Sequence, residues 1–353
     1  MQNDLRTSNL YKEILRSDID AFLVTYPANV SYFCRYPIDD SYLLASPKET
    51  FLITDFRYIE EAQENIKFSV RELTGSLSED ILKIVKKLKI KRLGFESRHL
   101  SFYEYGRITG ALGEEVELVP IYDLVEKLRI IKDEGEIAKI EAAVKLTEET
   151  FVFLKDIIRP GVKELDISAE VNRFIRLKGA EKASFDLIVA SGSRSSMPHA
   201  KTSTKIIQNN EPVLVDMGVE ISGYKSDLTR MFFLGKIAKN IKQAMDVVFA
   251  AKRKAIKRLK PGVPIKEIDK AAREYIASFG WSKNFRHSVG HGVGLEVHEG
   301  PHISRKNNSC LKAGMVFTIE PAVYFPQKFG VRLEDMVLIT QKGARVLNGT
   351  LNN

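Results

Sequence analysis

Residues 211–233 read EPVLVDMGVEISGYKSDLTRMFF. Apolar and polar residues alternate on either side of Ile221-Ser222-Gly223, the pattern of a β-hairpin with its turn there. Asp216 and Asp227 stand eleven positions apart, and their midpoint falls in that turn, so a symmetric hairpin predicts that they face each other. A single Asp in a strand is disfavoured, and two opposite each other repel. Pointing into water, such a pair would mean little. The flanking VLV and TRMFF are apolar, which predicts a buried hairpin, and buried paired carboxylates require a cation.

The same arrangement recurs near the C-terminus. Residues 315–321 (MVFTIEP) and 331–340 (VRLEDMVLIT) read as two apolar strands, with 326–330 as the loop between them. Glu320 and Glu334 stand fourteen apart, roughly symmetric about that loop. Four of the six histidines fall between positions 287 and 302. His291 sits in GHGVG, where glycine on each side permits a close approach of backbone and ligand. Beside two acidic pairs, it is predicted to ligate metal. His99 and His302 read as ordinary core or surface residues. The segment 298–302, HEGPH, matches the HExxH zinc pattern letter for letter. That pattern works only on a helix, which puts both histidines on one face. Gly300 and Pro301 would break such a helix, so a zincin is excluded.

The motifs RPGV at 159–162 and KPGV at 260–263 lie 101 residues apart, and each follows a helical stretch. Each precedes another helix, SAEVNRFIRLKG in one case and DKAAREYIASFG in the other. Pro-Gly by itself is a common helix stop. The full order of helix, PGV, helix and carboxylate-bearing hairpin, found in both halves, predicts a duplicated domain with a pseudo-two-fold axis. The two hairpins should then meet, bringing four carboxylates and His291 into one small volume with His199 and His298 at its rim.

A long helical stretch at 132–158 opens this domain, which is assigned residues 126–353. Residues 1–125 alternate strand and helix signals. Strands are expected at 21–26, at 91–95, at 116–119, and as a pair across 41–54 around Ser46-Pro47-Lys48. Amphipathic helices are expected at 57–66 and 78–88. This is an α/β domain without a catalytic cluster.

The 353 residues suit two domains better than one core. With 44% hydrophobic and 28% charged residues the composition is that of a globular protein. The two cysteines, Cys34 and Cys310, have no metal-ligand spacing and suit a reducing cytoplasm. The N-terminal stretch lacks the basic start and apolar core of a signal peptide. No apolar run of about 18 residues predicts a membrane span. The net charge of +8 is spread along the chain, and its densest run, KIVKKLKIKR at 83–92, alternates with Ile, Val and Leu. It reads as a helix end with a solvated face, so no nucleic-acid partner is expected.

The segments VDMGVEISGYKSDLTR, HSVGHGVGLEVHEGP, FTIEPAVY and GVRLEDMVLIT together resemble the pita-bread metallopeptidases. That family includes methionine aminopeptidase, Xaa-Pro aminopeptidase and prolidase. The likeness covers roughly residues 130–350. NVSYFCRY, TDFRY and SGSRSSMPHAKTS resemble its proline-specific branch. The resemblance implies an α+β pita-bread catalytic domain behind the α/β domain. It implies that Asp216, Asp227, His291, Glu320 and Glu334 hold two divalent metals. It gives substrate or transition-state roles to His199, His287 and His298, and a supporting one to Arg332. Thr202 stands where relatives often have Pro, and Ala322 where they usually have Gly.

Four carboxylates and one imidazole suit Mn(II) or Co(II), with Zn(II) as a further option. Such cations lower the pKa of a shared water. Glu320 is then the candidate to carry its proton to the leaving nitrogen. His298 and His199 would stabilise the oxyanion and hold substrate, a peptide with proline second. A dipeptidase and an aminopeptidase both remain open. The branch implies a homodimer. Rivals on the same fold are a creatinase-like hydrolase, which lacks the metal ligands, and a non-catalytic peptide-binding module.

Overall fold

The computed structural model describes residues 5–349. The chain divides at Arg129/Ile130 into two compact units.

The first unit is built on a six-stranded sheet. Its strands run, edge to edge, Ser69–Glu72, Thr50–Thr54, Ser41–Ala45, Ala21–Val24, Arg92–Glu96 and Glu117–Ile121. Ala21–Val24 is buried at every position, as an apolar run without alternation requires. It pairs antiparallel with Ser41–Ala45 and parallel with Arg92–Glu96. The helix Leu77–Leu88 starts in a capping box made by Ser76 and Glu79 and buries Leu77, Ile81, Ile84, Val85 and Leu88 along one stripe. The helix ends within the basic run, at Lys89 (φ 57°), and a strand begins at Arg92. The run is therefore a helix end, a turn and a strand start. Four helices lie outside the sequence expectations: Leu5–Arg16, Pro27–Cys34, Phe102–Leu112 and Leu124–Arg129. The first buries only Leu10 and Ile14 among its apolar residues and exposes Leu5 and Leu15, so its apolar stripe is thin.

The second unit repeats one motif. Helix Glu134–Ile157 leads through Gly161 (φ 91°) to Glu164–Leu177, and helix Lys239–Ile256 leads through Gly262 (φ 85°) to Ile265–Ala277. The likeness extends to backbone hydrogen bonds. Gly161 N–H donates to Ile207 O and Gly262 N–H to Leu311 O. Ile207 N–H returns to Val162 O, and Leu311 N–H to Val263 O. The second helix pair packs on strands Val316–Ile319, Phe329–Arg332 and Asp335–Ile339 through Val248, Ile268, Phe317, Val331 and Val337. Each such buried side chain contributes about 1.5–3 kcal/mol. In the first half, Pro212–Met217 is the middle strand between Ile188–Ser191 and Leu228–Phe233, and all six of its residues are buried.

Register corrects one expectation. Ile221 pairs with Tyr224, so the turn is Ser222-Gly223, at φ 51° and 77°. This is a two-residue turn with both central residues left-handed. The same register puts Asp216 opposite Thr229, not opposite Asp227. Asp227 falls across from Gly218, where the ladder is broken. The midpoint of 216 and 227 lies one residue short of the true turn centre, and a one-residue error in the centre moves a partner by two. The two aspartates are thus diagonal neighbours on one face, still within reach of each other. The C-terminal pair keeps its expected register. Ile319 pairs with Asp335 and Ala322 with Arg332, so Glu320 faces Glu334 across the gap between two ladder segments. Among the described residues, no helix is long and apolar enough to cross a membrane.

Candidate metal centre

Both hairpins direct their carboxylates to one place in the second unit. Single ligand atoms of Asp216, Asp227 and Glu334 lie within 4.8 Å of one another. The same holds for His291, Glu320 and Glu334, and for Asp227, His291 and His298. His291 Nε2 is 3.4 Å from Glu320 Oε1 and 3.6 Å from Asp227 Oδ2.

His291 reaches this point because of its neighbours. The strand Gly290–Gly292 lies between Glu299–Ile303 and Val316–Ile319. A Cβ at Gly290 would sit 1.9 Å from Thr318 O, and one at Gly292 would sit 2.0 Å from Gly300 O. Only glycine permits this packing. His291 Nδ1 lies 3.2 Å from Gly292 O. A carbonyl only accepts, so Nδ1 carries the proton and Nε2 presents a lone pair to the carboxylates.

A lone pair facing carboxylates is repulsive unless a cation lies between them. Burial, reinforced by the charge of His298, pushes the His291 imidazole down to about 3, so it is neutral near pH 7. Burial and then the neighbouring carboxylates hold Asp227 and Glu320 well above the usual carboxylate range. Burial and then Asp216 push Glu334 to about 8. Asp216 Oδ1 and Asp227 Oδ1 are buried with no hydrogen-bond partner among the described residues. Arg332 is buried beside the cluster. It donates from Nη2 to Asp216, from Nε to Thr229 Oγ1 (3.0 Å) and from Nη1 to Tyr324 Oη (2.6 Å) and Pro198 O (3.1 Å). One guanidinium does not neutralise four carboxylates. Oxygen-rich, negatively charged and partly unsatisfied, the donor set fits divalent cations.

The sequence pattern of metallopeptidase family M24 matches residues 138–341. The chain is a member of that family. The creatinase/prolidase N-terminal domain pattern matches residues 6–131 of this M24 metallopeptidase. A Pyrococcus furiosus Xaa-Pro dipeptidase is 36% identical to it over 351 residues, 98% of each chain. Among solved structures, an Xaa-Pro dipeptidase from Bacillus anthracis superposes with a TM-score of 0.95 at 34% identity, covering 99% of this chain and 98% of that one. An X-Pro aminopeptidase from Thermotoga maritima superposes at 0.91 with 38% identity, covering 98% of each. The pita-bread catalytic fold behind an α/β domain is thereby established for this M24 metallopeptidase.

An open cleft of about 1740 Å³ reaches the carboxylates and is also lined by His199, His287, His298, Tyr324 and Arg332. His199 is exposed in an irregular segment after the turn Gly192–Ser196. His298 is exposed too, its ring centroid 4.2 Å from that of His291. His287 is half-buried, with Nδ1 2.7 Å from Ser288 O and 3.9 Å from Glu320 Oε2. Burial pushes it to about 4. His298 and His302 flank and occupy a strand, Glu299–Ile303, so the HEGPH segment has none of the helical geometry a zincin needs. Ala322 is a fully buried strand residue.

Two contributors escaped the sequence reading. Thr229 Oγ1 donates to Glu334 Oε2 at 2.8 Å, and Tyr324 holds Arg332. Thr229 lies two positions after Asp227 on a strand-like stretch, so alternation alone places it on the same face. Tyr324 carries no such local signal.

Proposed function

We propose that this M24 metallopeptidase hydrolyses the bond between the first residue of a peptide and a proline in second position. Asp216, Asp227, His291, Glu320 and Glu334 hold two divalent cations in this reading, Mn(II) or Co(II) before Zn(II). The observation that carries it is the convergence of four carboxylates and one neutral imidazole on a volume a few ångströms across. When bound, the cations supply Lewis acidity and a water of lowered pKa.

The chain's own side chains do the rest. Glu320 is the most accessible of the four carboxylates, opens on the cleft beside His287, and carries the proton to the leaving proline nitrogen. His298, adjacent to His291, donates to the oxygen that becomes negative in the tetrahedral species. His199 and neutral His287 hold the substrate on either side of the cleft. Arg332, paired with Asp216 and lining the cleft, supports that carboxylate and the substrate beside it. A bond to proline has no N–H, so a site for it must recognise the substrate by shape and by the carbonyl. The relatives named for Xaa-Pro and X-Pro cleavage support this substrate class. A homodimer and a cytoplasmic location rest on the sequence resemblance and on the two free cysteines.

The test is hydrolysis of Xaa-Pro dipeptides, Xaa-Pro-Xaa tripeptides and Met-Ala peptides by Mn-loaded protein and by protein stripped with EDTA. Cleavage confined to the proline peptides, abolished by EDTA and restored by Mn or Co, is expected. The ratio of dipeptide to tripeptide turnover then separates dipeptidase from aminopeptidase. Equal turnover of Met-Ala peptides overturns the proline assignment, and full activity in metal-free protein overturns the metal assignment.

A further inference from the structure

Glu164 is the first residue of helix Glu164–Leu177 and is fully buried, yet it takes no part in the metal centre. Its carboxylate accepts five hydrogen bonds, all from the segment 191–203 that carries His199. Ser191 donates from both its N–H and its hydroxyl to Oε1 at 2.8 Å. Ser203 donates from its N–H (3.2 Å) and its hydroxyl (2.6 Å) to Oε2. Arg194 Nε donates to Oε2 at 3.0 Å, and its Nη2 reaches on to Lys201 O. One carboxylate therefore ties both ends and the middle of a thirteen-residue stretch that is mostly neither helix nor strand.

Hydrogen bonds that a buried carboxylate accepts from charged or backbone donors are among the stronger ones, and leaving so many donors unmet is costly. The rest of the segment leans on the metal centre. Gly330 N–H donates to Ser195 Oγ at 2.9 Å, and Arg332 Nη1 donates to Pro198 O, the carbonyl just before His199. Thr202 adds a tie through its hydroxyl, which donates to Leu187 O (2.6 Å) and accepts from Val189 N–H (3.0 Å). His199 itself is exposed and has no hydrogen bond of its own among those described. Its position is thus imposed through the backbone on both sides.

We infer that Glu164 is a positioning residue for His199: it holds segment 191–203 so that the imidazole stands over the cleft, and its effect on catalysis passes through His199 alone. The inference rests on His199 meeting substrate, as in the reading above.

A double-mutant cycle on Mn-loaded protein tests it, with Glu164→Gln, His199→Ala and the pair. Glu164→Gln keeps the volume but removes one acceptor oxygen. Arg194→Met and Ser203→Ala are milder variants that keep the carboxylate, for use if Glu164→Gln does not fold. Glu164→Gln is expected to lower kcat/KM on an Xaa-Pro peptide by about 10²-fold, the scale of a misplaced catalytic group. The two metals should stay bound, and amide exchange should quicken in 191–203 but not in 285–303. In the His199→Ala background the same change should have no further effect. Losses that multiply across the pair would show a general structural role and overturn the inference, as would unchanged exchange in 191–203. If wild-type protein cleaves no proline peptide while exchange responds as stated, the substrate reading fails and the clamp stands.

Discussion

Replacing Arg332 with Met separates the charge economy of the metal centre from its architecture. Arg332 is 4% exposed, and its guanidinium is paired with Asp216. In metal-stripped protein near neutral pH, Asp227, Glu320 and Glu334 are held toward their protonated forms. Asp216 is the carboxylate with which Arg332 is paired. Removing one partner of a buried pair costs about 3–5 kcal/mol, because the other charge remains buried. In metal-loaded protein the cations replace that partner. The loss then reduces to the hydrogen bonds to Thr229, Tyr324 and Pro198, which the stripped protein loses as well. The difference is the ion-pair cost of about 3–5 kcal/mol, which must reappear as tighter cation binding by linkage, by about 10²-fold or more. Urea unfolding of wild type and Arg332→Met, stripped and Mn-loaded, reads the two losses, and Mn titration reads the affinity. Equal losses in both states, or weaker Mn binding by the variant, would refute the reasoning.

The stripped protein should lose stability as pH rises. Glu334 is raised to about 8 and Asp227 and Glu320 are raised as well, against about 4 in the unfolded chain. The folded state therefore keeps protons that the unfolded state has released. That stability is fully present below pH 4 and is lost through pH 8, at up to about 1.4 kcal/mol per pH unit for each retained proton. Urea midpoints of stripped protein at pH 6 and 8 check the sign, and a midpoint that rises with pH rules out the account. His298→Ala should cut kcat by about 10²-fold or more, as loss of an oxyanion donor does, while both metals remain bound; metal loss in that variant would make His298 a ligand. Gly292→Ala puts a methyl 2.0 Å from a backbone carbonyl oxygen that cannot yield. It should destabilise the protein by about 3 kcal/mol or more and weaken Mn binding, measured by thermal unfolding and titration; a wild-type Tm would mean the strands separate more readily than their packing implies.

Much of this protein is written locally. The apolar runs around Asp216, Asp227, Glu320 and Glu334 declared buried strands, and a buried carboxylate needs a partner wherever it lies. The PGV turns, 101 residues apart, declared the repeat, because a helix end that requires a left-handed residue is a local matter. Glycine on both sides of His291 marked a close approach before its cause, the carbonyls of Thr318 and Gly300, was visible. What the sequence left open depends on register and on distant partners. A hairpin's register is set by where its turn closes, and one residue of uncertainty there moved the partner of Asp216 from Asp227 to Thr229. Arg332 stood out only through the family resemblance, and its partner Asp216, 116 positions away, is set by folding alone. Glu164 looks like an ordinary acidic residue in a helix's first turn until Ser191, Arg194 and Ser203 close over it. No periodicity encodes such contacts, because they join segments whose separation along the chain has no fixed relation to their separation in space.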